Sequence, residues 1–133
     1  MQDRPTMREL IEAVQYFFQS SVAPLLTDPR TRFQGLIAHN VLEILKRELE
    51  LGETATREEW RSLQKLLGAS GAEPAAVADL EKSLLELYRT FRERARTGAF
   101  DTGEARAAAY THARKVVVDK LKVTNPGYLT EPG

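Results

Sequence analysis

Hydrophobic positions recur along this chain at intervals of three and four, the spacing of one face of an α-helix. The first such stretch opens at Thr6, with Glu9 three residues on, the spacing of a capping box. Leu10, Val14, Phe17 or Phe18, and Val22 carry the stripe forward to Pro24, where the missing N–H and the ring should end or kink the helix. Thr27-Asp28-Pro29-Arg30 reads as a turn. A second helix is predicted from about Thr31 to Leu51, with Gly52 placed to close it in a left-handed conformation. Its apolar residues, Phe33, Leu36, Ile37, Val41, Ile44, Leu45 and Leu49, cover so wide an arc that it reads as a central helix touched by several neighbours.

Thr56 and Glu59 repeat the capping-box spacing ahead of Trp60, Leu63, Leu66 and Leu67, and predict a short third helix closed by Gly68. Ala69-Ser70-Gly71-Ala72 reads as a mobile loop. A fourth helix is expected to open near Pro74 and end at Gly98, burying Val77, Leu80, Leu84, Leu87 or Tyr88, and Phe91. A fifth begins after Asp101, with Glu104 three residues on, and stops at Asn125-Pro126-Gly127. Val116-Val117-Val118 is β-branched, but the Ala-rich approach and the lack of a partner strand favour helix. The expectation is an all-α, single-domain bundle of about five helices spanning residues 1–133, with Tyr128 and Leu129 folding back onto it.

Composition narrows the function classes more than it selects among them. A chain of 133 residues can bury roughly two-thirds of its unfolded surface. It holds no Cys, which removes disulfides, thiolate zinc sites and a cysteine nucleophile together. Lys plus Arg number 19 and Asp plus Glu number 19. That balance argues against a nucleic-acid binder, which needs a basic excess for its phosphate contacts. No apolar run approaches the roughly 20 residues of a membrane span, and the N-terminus lacks the apolar core of a secretory signal. The expectation is a cytoplasmic protein.

The candidate chemistry is sparse. His39 and His112 fall on different helices with no carboxylate at metal-ligand spacing, so no metal site and no cofactor are predicted. Asn40 lies between Ile37 and Ile44 on the apolar side of the central helix, and a buried amide must find partners or cost about 1–3 kcal/mol. It either bridges two helices and fixes their register or presents an amide into a pocket. Arg32 and Arg47 offer guanidinium forks to a phosphate or carboxylate, and equally suit surface ion pairs. Arg89, Arg92, Arg94 and Arg96 crowd a helix end beside Tyr88 and Phe91, where cations complement the helix dipole.

Several segments carry a resemblance. Gln2-Asp3-Arg4-Pro5-Thr6 opens the chain. Arg32-Phe33, Ala38, Asn40, Leu42, Ile44 and Arg47-Glu48-Leu49 mark the central helix, and Lys120-Leu121, Val123, Asn125-Pro126 and Tyr128-Leu129 close it. This pattern resembles a family of short bacterial proteins classed only as a domain of unknown function. The resemblance implies company with aminoglycoside-phosphotransferase-like kinases and acyl-CoA dehydrogenases. The leading expectation is therefore a non-catalytic accessory module that binds such an enzyme through Asp3, Arg4, Asn125 and Tyr128. The alternative is a small-ligand or catalytic site between helices, built on Arg32, His39, Asn40 and Arg47, for an acyl or phosphorylated metabolite. A homodimer through an exposed helix face is compatible with either.

Overall fold

A computed structural model describes residues 4–130. It contains four α-helices rather than five, and no strand among the described residues. They are α1 (Met7–Phe17), α2 (Pro29–Leu67), α3 (Val77–Arg96) and α4 (Gly103–Thr124). The missing boundary is the one expected at Gly52. The segments read as a second and a third helix are one 39-residue helix, α2. A glycine inside a helix costs only about 1 kcal/mol, and the residues around it repay that locally. The Thr56 hydroxyl donates to the Gly52 carbonyl, and Arg57 pairs with Glu53 one turn back. Thr56 therefore caps nothing. The true stop is Gly68, at φ +62°, where the Gly68 and Ala69 N–H groups donate to the carbonyls of Lys65 and Gln64 in a Schellman pattern. Gly98 closes α3 in the same way, at φ +81°.

Other boundaries move by a few residues. At Thr6 the capping box forms as the spacing predicts. Asp28 is the cap of α2, accepting from the backbone N–H and the hydroxyl of Thr31, and these bonds hold its carboxyl below the ordinary range. Pro29 is thus a first helical residue, not part of a turn. Before Pro24 the chain leaves α-geometry through a π-helical turn, Phe18–Val22, and then a 3₁₀ turn, Ala23–Leu25. The i−5 bond from Ala23 N–H to the Phe18 carbonyl absorbs the proline without breaking the chain's course. α3 begins at Val77 rather than Pro74, because Arg57 takes the carbonyls of Pro74 and Ala75 and the Glu73 carboxylate. Arg61 adds a second pair to Glu73, so this end of the expected loop is tied to α2. Asp101 does not cap α4; Thr102 occupies that position without a side-chain bond.

Packing divides the chain into two compact units, one up to Glu50 and one from Leu51 onward. In the first, α1 runs antiparallel to the early part of α2 along a seam of Gly35, His39, Glu43, Lys46 and Glu50. Phe18 lies on Gly35 so closely that a Cβ there would stand 2.7 Å from the ring. The buried Gln15 amide donates to Glu43 at 2.7 Å and accepts from Lys46 at 3.3 Å. Arg8 pairs with Glu12 and Glu50. Asn40 is exposed, which corrects the expectation of a buried amide. Helical phase turns it about 100° from the seam.

The second unit holds the apolar core: Trp60, Leu63 and Leu67 of α2, Leu80 of α3 and Val123 of α4. The Trp60 indole N–H donates to Ser83 at 2.8 Å, which fixes α3 against α2. Past α4, Pro126–Leu129 form a 3₁₀ turn, but the Tyr128 side chain is exposed instead of folded back. Val117 and Tyr110 are likewise exposed, and Val123 and His112 take the inward positions of α4.

Leu63 and Leu80 have no accessible surface. Leu63→Ala and Leu80→Ala should each cost about 2–5 kcal/mol in urea unfolding. Leu85→Ala, at a position 61% exposed, should stay within about 0.5 kcal/mol of the parent.

Candidate functional site

A polar cluster inside the second unit is centred on His112, which is 4% exposed. Its place on α4 follows from the sequence around it. Ala107, Ala108, Ala109 and Ala113 leave little bulk on that stretch, so side chains of other helices reach the imidazole. Ser62 of α2 lies 2.8 Å from Nδ1. The Tyr88 phenol of α3 lies 3.5 Å from Nε2 and donates its own proton to the Glu59 carboxylate of α2. Tyr88 and Phe91 flank the ring at 6.2 Å and 6.3 Å between centroids, and Phe100 stacks on Phe91 at 5.0 Å.

In the Nε2–H tautomer of His112 the donors of this cluster align in one direction. Tyr88 commits its O–H to Glu59, so in this tautomer it accepts from Nε2–H of His112. Nδ1 is then the acceptor for the Ser62 hydroxyl. The chain reads Ser62 to His112 to Tyr88 to Glu59, each donor pointing the same way. Burial, helped by Lys115, pulls the His112 pKa below its ordinary 6.5, against the opposing charge of Glu59. Burial, then the bond to Glu59, pushes the Tyr88 phenol above its ordinary 10.0. A neutral imidazole between two hydroxyls is the result.

The cluster opens on a cleft of about 410 Å³. Ser62, Thr111 and His112 form its polar side; Leu66, Phe100, Ala105 and Ala108 form its apolar wall, and Lys65 stands at its edge. Among the described residues, no three His, Asp or Glu side chains are grouped to hold a metal ion.

The residues singled out from sequence lie elsewhere. Arg32 borders a pocket of about 130 Å³ beside Phe18, Leu26 and Leu36, in the first unit. Neither His39 nor Asn40 lines that pocket. His39 is half-buried against the Gln19 amide, 3.4 Å away, and Arg47 is half-buried. Arg4 is exposed and 3.8 Å from Glu9, Asn125 and Tyr128 are exposed beyond α4, and Asp3 lies outside the described residues. Sequence reasoning weighed His112 as a metal ligand and set it aside. It gave no role to Ser62 or to Glu59 beyond a helix cap, because the partners stand 50, 24 and 29 positions apart. A lone His in an alanine-rich helix was the available signal.

The profile of one family, described as a domain of unknown function, DUF6285, matches residues 25–128. The chain belongs to the DUF6285 family. The match takes in the whole of α2, α3 and α4, and with them Glu59, Ser62, Tyr88 and His112. No curated protein and no solved structure matches the chain.

His112 is neutral in the fold with a lowered pKa, so the unfolded chain binds more protons than the folded one as pH falls through 6.5. Stability should therefore be full well above that pH and decline as the pH falls from about 7 through 6.5 and below. His112→Gln should flatten this slope in urea melts taken across that range.

Proposed function

We propose that this DUF6285 chain is an accessory module that docks to an enzyme through an apolar face of its first unit. The observation that carries the reading is the inversion of that unit. Among its described residues the buried side chain is the polar Gln15, while Met7, Leu10, Val14, Phe17, Leu45 and Leu49 lie between 46% and 65% exposed. Helical phase in an antiparallel pair places Met7 and Val14 of α1 on the same side as Leu45 and Leu49 of α2. Contiguous apolar surface of this kind marks interaction sites. The polar seam opposite, from Arg8 through Gln15 to Glu43 and Lys46, holds the two helices together without drawing on those apolar residues.

The partner class follows from the family resemblance: a phosphotransferase-like kinase or an acyl-CoA dehydrogenase, in the cytoplasm of a bacterium. Arg4 of the first unit is exposed, and so are Asn125 and Tyr128 of the second. A module of this kind does no chemistry of its own. Self-association through the same face, giving a homodimer, is the competing reading.

Sedimentation velocity of the purified chain, alone and mixed with each enzyme class, tests the proposal. The expected outcome is a complex with one of them that Val14→Asp and Leu45→Asp abolish, with unchanged helical circular dichroism. Binding that survives both substitutions, or no complex with either enzyme, overturns it. A concentration-dependent dimer lost in the same variants establishes the self-associating form instead.

A further inference from the structure

We infer that the cleft beside His112 is a binding site for a small carboxylate with a short apolar tail. It lies in the second unit and goes beyond the docking role of the first. Lys65 is the charged side chain of the lining, and no carboxylate lines the cleft. Nor is Lys65 engaged in an ion pair with any described residue. A cation left unpaired above an apolar wall attracts an anion whose remaining surface is apolar. Leu66, Phe100 and Ala108 supply that wall, and Phe100 is held in place by its stack on Phe91.

The proton order of the buried chain sets the orientation. Thr111 gives its hydroxyl proton to the Ala107 carbonyl, and in the Nε2–H tautomer of His112 Ser62 gives its own to Nδ1. Both oxygens therefore present lone pairs to the cleft, which disfavours an anion at that end. The carboxylate sits at Lys65 and the tail runs inward along Phe100. The volume of about 410 Å³ matches the lower part of the range for small-molecule pockets.

The chain has two histidines, one in each unit, which gives the experiment an internal control. Hexanoate is titrated into the full-length protein while the imidazole resonances of both are followed by NMR. Saturable movement of the His112 signals with His39 unmoved is the expected result, with hexylamine producing none. Lys65→Met should weaken hexanoate by about tenfold, a loss of one charge-assisted contact, and Lys65→Arg should retain most of it. Lys65 is exposed, so neither variant threatens the fold. A linear, unsaturated response to hexanoate, an equal response to hexylamine, or undiminished binding to Lys65→Met overturns the inference.

Discussion

A neutral imidazole taken out of water must have both of its nitrogens answered, and the second unit is arranged around meeting that demand. His112 comes from α4, its acceptor nitrogen is satisfied by Ser62 of α2, and its donor nitrogen faces Tyr88 of α3. Tyr88 then needs an acceptor for its own proton and finds Glu59, one turn before Ser62 on α2. Three helices are tied by one chain of hydrogen bonds, and no buried side-chain polar atom among the described residues is left without a partner. Leu63 and Leu80 supply the hydrophobic weight beside it. The polar chain sets which faces of the helices meet, because an imidazole one position along α4 would point about 100° away from both hydroxyls.

The first unit solves the opposite problem. Its seam is polar, with Gln15 between Glu43 and Lys46, and the Glu43 carboxyl is held below its usual range first by Gln15 and then by Lys46. Hydrogen bonds of this sort contribute modestly to net stability but are specific in geometry. A pair of helices held by such a seam keeps its apolar residues for other uses. The close approach at Gly35, where the Phe18 ring fills the space a side chain would occupy, keeps the π-helical turn against α2. The two units thus differ: one buries a small apolar core of Trp60, Leu63, Leu67, Leu80 and Val123 beside a cleft, the other buries Gln15 and exposes an apolar face.

That division bears on function. An accessory role calls for a surface that gains from being covered, and the first unit has one. A ligand site calls for a cation or donor at the edge of a partly apolar recess, and the second unit has Lys65 above Phe100. Arg32 borders a smaller pocket of the first unit, and Asn125 and Tyr128 of the second are exposed and do not line the His112 cleft.

The sequence by itself determined the helical class and several helix ends, because periodicity and capping act within one or two turns. Thr6 with Glu9, Gly68, Gly98 and the stop at Asn125-Pro126 are all read from neighbours a few residues apart. Gly52 shows the limit of that reasoning. Its local signature equals that of Gly68, yet the helix runs on, since the roughly 1 kcal/mol a glycine costs is outweighed by interactions through the following turns. Asn40 shows the second limit. A stripe as wide as that of α2 offers more than one face for burial, and only the approach of α1 selected the polar one. Of the His112 chain only the lone His in an alanine-rich helix was legible, because its four members are brought together by helix packing, and hydrogen-bond geometry between distant residues leaves no spacing to read.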